Sequence, residues 1–129
     1  MKKWLKNSKG FTLVELLAVI VILGVIAAIA VPVVSATIQN SRERSDVASL
    51  ALIRDAVTRW AIETEVVDDV AATELSVVSG AGYLQGVPAI QSRTDLDFDQ
   101  FSISVDGFGM YDVNILDTDG VTEIVEGNF

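Results

Sequence analysis

At 129 residues with neither cysteine nor histidine, the chain has the size of a single domain and cannot build a disulfide framework, a thiolate or imidazole metal site, or Cys or His catalysis. The formal charge of −9 is unevenly placed: Lys2, Lys3, Lys6 and Lys9 make the N-terminus cationic, whereas beyond Trp60 one base, Arg93, stands against fourteen acids. So acidic a C-terminal part repels a phosphate backbone, and no direct nucleic-acid binding is expected of it.

Leu16 to Ser41 carries no charged residue, and its Leu/Val/Ile/Ala density runs long enough to cross a hydrocarbon core of about 30 Å. Lysines on one flank only place the N-terminus in the cytoplasm and the remainder outside. A secretory signal cut behind its apolar region fits less well than an anchor, because "VPVVSATIQNS" continues without a break in character. At the head of the run stands a carboxylate, Glu15, where insertion costs a few kcal/mol and a partner is usual. The closest preceding cation, Lys9, is six residues back. Scission between Gly10 and Phe11 would supply a nearer one, a new α-ammonium four residues from Glu15 with a reference pKa near 8.

The stretch "KGFTLVELL", behind a short Lys-rich leader and ahead of the apolar run, resembles the class III signal of type IV pilins and pseudopilins. The resemblance rests on about 30 residues: the Gly10–Phe11 junction, Thr12 and Leu13, and Glu15 four positions past the junction. It implies that a prepilin peptidase cuts after Gly10 on the cytoplasmic side and methylates Phe11, so that the apolar segment stays with the mature protein. It further implies that Glu15 pairs with the Phe11 ammonium of a neighbouring subunit, where a low-dielectric filament core penalises either charge alone. Gly24 and Pro32 fall where the family often has helix-weakening residues, although close helix packing and a tolerated membrane kink explain them equally well. The implied partners are copies of the chain and minor pilins in a helical filament, the prepilin peptidase, the assembly ATPase and platform proteins, and the membrane. No cofactor is implied. The cysteine pair that closes a C-terminal loop in many pilins is missing.

Beyond the apolar run, Val47, Leu50, Val57 and Ala61 recur at helical spacing with Ile53 and Trp60 alongside, which predicts a continuing amphipathic helix to about Glu65. Asp55 and Arg59 stand on it in the favourable acid-first order. "VVDDVAATELSVVSGAGYLQGVP" breaks the helix and predicts a short second one from near Thr73, ended by Gly80 and Gly82. Its "GYLQGVP" portion is similar to the connector that many Gram-positive pilin-like proteins place before their sheet. "FSISVDGFGMYDVNIL" alternates on both sides of Asp106-Gly107, predicting two strands joined by a two-residue turn, and "VTEIVE" after "DTDG" predicts a third. The expected fold is α+β: a long N-terminal helix, part transmembrane and part amphipathic, against three or four antiparallel strands that present Phe101, Ile103, Val113 and Ile115 to the helix stripe.

Asp95, Asp97 and Asp99 alternate like the start of a calcium loop, and Asp117 with Asp119 forms a second group. The first group has Gln100 where such a loop needs Gly and Asp106 where it needs Glu, so solvated turns and strand faces are the favoured interpretation and no metal is expected. No nucleophile–base pair or phosphate loop can be assembled, which argues against an enzyme. The expected organisation is a cleaved leader (1–10), a membrane and filament-core helix (11–36), and a head that includes the amphipathic helical half (37–129). Two functions fit: a structural subunit of a type IV pilus or pseudopilus, first inserted in the cytoplasmic membrane and later part of an extracellular filament, or a membrane-anchored extracellular acidic module, with cation binding as a role its acids would allow, that does not polymerise. Adhesion, motility, DNA uptake and secretion share that subunit plan.

Overall fold

The structure, a computed structural model, describes residues 10–129; the N-terminal lysines Lys2, Lys3, Lys6 and Lys9 lie outside the described residues. The chain divides after Ile38 into two compact units. Helix α1 runs from Leu13 to Glu63, with its first half in the N-terminal unit and its second half opening the C-terminal one. In the N-terminal unit the side chains from Phe11 through Val34 are exposed, an apolar surface with no packing of its own.

The C-terminal unit is a head built on the second half of α1. Leu50, Ile53, Ala56, Val57 and Ala61 are buried at spacings of three and four, as the sequence periodicity predicts. They pack with Phe101, Ile103, Val113 and Ile115, the four sheet residues expected to face the helix, and Trp60 meets Phe101 edge to face at 5.6 Å. Val47, at the start of the expected stripe, is only half-buried.

The helix ends where Glu65 adopts φ 53°: its N–H donates to the Ile62 carbonyl (3.3 Å) and the Val66 N–H to the Ala61 carbonyl (3.0 Å). This is a Schellman close with a glutamate where glycine is the unstrained choice.

Strands β1 (Val70–Glu74), β2 (Gln100–Val105) and β3 (Tyr111–Leu116) form an antiparallel sheet in that order. The strand count matches expectation, but the structure departs from it at three places. The segment expected to begin a helix near Thr73 is instead β1, paired with β2 across a bulge between Val70 and Thr73. Helix α2 (Ser76–Gly80) starts only after it. Local propensity there is ambiguous, and the ladder to β2 decides it. Gly82 does end α2, at φ 88°, its N–H donating to Ser79 and that of Tyr83 to Val78.

The β2–β3 connection is a five-residue loop, Asp106 to Met110, and not a two-residue turn. Asp106 Oδ1 accepts from the amides of Phe108 (2.9 Å) and Met110 (2.8 Å), and Gly109 takes the positive φ of 77°. A turn on Asp106-Gly107 alone would place Asp112 opposite Phe101 and swing Val113 away from the core. The observed register pairs Ile103 with Val113 and Phe101 with Ile115, keeping all four on the apolar face.

"VTEIVE" contributes one bridge, Leu116 to Glu123, with the Ile124 N–H donating to Ile115 (2.8 Å). Ile124 then turns into the core, which ends the ladder after a single step. A short 3-10 turn, Glu126–Asn128, follows.

Candidate functional site

The junction and its acid lie together at the start of α1. Thr12 caps the helix: the Glu15 N–H donates to Thr12 Oγ1 (3.2 Å), while the Thr12 N–H and hydroxyl both donate to Glu15 Oε2 (3.3 Å each). This reciprocal pattern is a capping box. Its T-x-x-E signature is present in the sequence but is hidden there by the more conspicuous glycine–phenylalanine junction. The box supplies Glu15 with hydrogen-bond donors in the lone subunit, and its place in the first turn sets the carboxylate against the positive end of the helix dipole. Phe11 projects into solvent, 88 % exposed, immediately before the cap. Gly10, Phe11 and Glu15 are thus adjacent and accessible in a segment that leads straight into the exposed apolar helix.

Gly24 and Pro32 stand apart from this group. A Cβ at Gly24 would meet nothing within 4 Å, so packing inside the chain does not require the glycine. Pro32 lies within continuous helix, where its missing N–H leaves the carbonyl four residues back without a helical donor. Just beyond, the Ser35 and Thr37 hydroxyls donate to the Val31 (3.0 Å) and Val33 (2.9 Å) carbonyls. α1 is long and apolar enough to cross a membrane.

The aspartates singled out as weak metal candidates close turns. Arg93 Nε donates to Asp95 Oδ1 (3.0 Å), and a second guanidinium nitrogen reaches the other oxygen. The Arg93 hydrogen bond holds the Asp95 carboxyl below the usual range. Asp117 Oδ1 accepts from the Asp97 N–H (2.9 Å), and Asp97 Oδ1 from that of Phe98 (3.0 Å). The backbone of Asp99 joins β1 and β3, accepting from Leu75 and donating to Leu116. Asp119 accepts from the Thr122 hydroxyl (2.6 Å) and the amides of Thr122 (2.8 Å) and Val121 (2.9 Å), and these bonds, the hydroxyl first, lower its pKa. Among the described residues no three acids converge as a cation site.

One important carboxylate was not singled out in the sequence. Asp46 on α1 is fully buried, and its two oxygens accept from the amides of Gln91 (2.7 Å) and Ser92 (2.8 Å). It ties the irregular connector between α2 and β2 to the helix. Tyr83 fastens the other end by donating to Glu63, and this bond raises the tyrosine pKa.

Residues 5–31 match the family described as the prokaryotic N-terminal methylation motif. Two curated relatives, both fimbrial proteins of Pseudomonas aeruginosa, are 29 % identical over 122 residues, covering 94 % of this chain and 68 % of theirs. No solved structure matches significantly. An apolar helix and a small α+β head accompany that N-terminal motif. The chain is type IV pilin-like: a homologue of fimbrial proteins with an N-terminal methylation motif.

Proposed function

We propose that the chain is a structural subunit of a type IV pilus or pseudopilus. It enters the membrane as a precursor with its N-terminus cytoplasmic, is cut after Gly10 by a prepilin peptidase, is methylated at Phe11, and polymerises through residues 11–36 with residues 37–129 as the head. The supporting observation is the exposed Gly10–Phe11 junction, one helical turn ahead of Glu15, at the mouth of an apolar helix with no core of its own.

In the lone subunit Glu15 is held by Thr12. In the filament the Phe11 ammonium of a neighbour replaces solvent as its counter-charge. An unpaired charge in such a core costs on the order of 3–5 kcal/mol, repeated at each addition. Gly24 and Pro32 mark where α1 yields when subunits pack. Assembly ATPase, platform proteins and minor pilins are the expected partners, and the acidic head keeps the filament surface hydrated.

Glu15→Gln tests this mechanism, because glutamine at the third helical position preserves the capping box while removing the charge. The variant should be processed and accumulate in the membrane without forming filaments alone. Homopolymeric filaments at wild-type abundance would refute the pairing. A protein that keeps its leader and stays in the membrane whatever stands at position 15 would favour the anchored acidic module.

A further inference from the structure

Two features of the head are complementary and are used by nothing described above. The first is the β2–β3 loop, where Phe108 is 94 % exposed and Met110 68 % exposed, on a tip whose one charge is Asp106. An aromatic side chain presented between two glycines and held out by the Asp106 turn is a knob without a socket in its own chain. The second feature is a mainly apolar groove of about 420 Å³ between α1 and the connector, formed by Leu52, Tyr83, Leu84, Gly86 and Pro88. The charged side chain on its rim is Arg59, whose bond to Asp55 (2.9 Å) is an exposed surface pair that exchanges partners at little cost.

We propose that in the filament the Phe108 tip of one subunit seats in this groove of a second copy, with Asp106 approaching Arg59. The proposal rests on the polymerisation reading and adds a specific head-to-head contact to it. Size, polarity and charge agree: the groove has room for one aromatic side chain, its walls are apolar, and its rim charge is opposite to that of the tip. Knob and groove are different surfaces of one chain, so the contact is heterologous and propagates along a helical array without closing into a dimer. Its area also explains why it needs α1. One aromatic side chain buries about 150–250 Å², far below the roughly 1,200 Å² of a stable specific interface. Heads alone should therefore remain monomeric, whereas subunits aligned by their helices gain the contact.

The absence of native cysteine makes the test direct. Full-length Phe108→Cys and Gln85→Cys chains, each with its own epitope tag, are co-expressed, and sheared filaments are oxidised. A disulfide dimer carrying both tags is expected in filaments, with much less in detergent-dissolved subunits. Mixed filaments at wild-type abundance with no such dimer, or equal yields in both samples, would overturn the contact. In parallel, Phe108→Ala filaments should break into shorter pieces under shear than wild type, and equal lengths would count against the knob. A fluorophore attached through Phe108→Cys that responds to phosphatidylcholine vesicles but not to assembly would reassign the tip to a membrane surface. Failure of the polymerisation reading shows separately, as absence of filaments from the wild-type control, and the proposal falls with it.

Discussion

Replacing Asp46 by alanine should loosen the connector before it unfolds the head. The carboxylate is fully buried and accepts two amide bonds at 2.7 and 2.8 Å. Hydrogen bonds to a charged group contribute about 1.5–3 kcal/mol each, and a buried donor left without an acceptor costs about 1–3 kcal/mol. Part of this returns because a carboxylate no longer has to be desolvated, so a net loss of about 2–5 kcal/mol is expected. Against a domain stability of about 5–15 kcal/mol, that leaves a folded but weakened head. Urea denaturation of a soluble head beginning at Thr37 measures the loss, and hydrogen exchange locates it: the Gln91 and Ser92 amides should lose protection before those of β2 and β3. Asp46→Asn, which keeps one acceptor oxygen, should fall between the two. A Asp46→Ala head within about 0.5 kcal/mol of wild type, with unchanged exchange at Gln91 and Ser92, would refute the tether.

Glu65→Gly should stabilise the head, because glycine removes a left-handed penalty of about 1–2 kcal/mol and returns part of that as unfolded-state entropy; a net gain of about 0.5–1 kcal/mol should raise Tm by a few degrees, and a lower Tm would contradict the Schellman assignment. Asp119 has its folded pKa below its unfolded value, so its contribution is present above the unfolded pKa near 3.9 and lost as pH falls through the folded one. Wild type and Asp119→Asn should thus differ at neutral pH and converge in acid, whereas a gap that is constant with pH would remove the carboxylate as its cause. A chain starting near Thr37 should melt cooperatively, but one starting near Val67, which lacks Leu50, Ile53 and Val57, should not; cooperative melting of the shorter chain would show that the sheet needs no helix.

The parts of this fold that depend on periodicity were legible in the sequence. Leu50, Ile53, Val57 and Ala61 on the helix, and the alternation from Phe101 to Ile115, identify the two faces of the core without any knowledge of how the chain returns on itself. What escaped depends on contacts between distant segments. β1 is a strand because it meets β2, and "VAATE" carries too weak a preference to announce it. The hairpin loop is five residues long because register must keep Val113 inside, a constraint stronger than the local appeal of Asp106-Gly107. Asp46 looks like one more acid on a charged helix until the amides of Gln91 and Ser92, 45 and 46 residues away, are brought to it. The proposed site rests on a different kind of signal, because Gly10, Phe11 and Glu15 lie within six residues of one another and their chemistry is local. Even there the threonine cap was overlooked, and it supplies the Glu15 side chain with hydrogen-bond donors.

Processing at the junction is tested most directly by the intact mass of the subunit recovered from sheared filaments. A chain that begins at Phe11, carries one added methyl group on its α-nitrogen and lacks all four leader lysines is the expected result. Filament-borne protein that retains Met1, or a mature terminus anywhere other than Phe11, would contradict both the cleavage and the charge pair that depends on it.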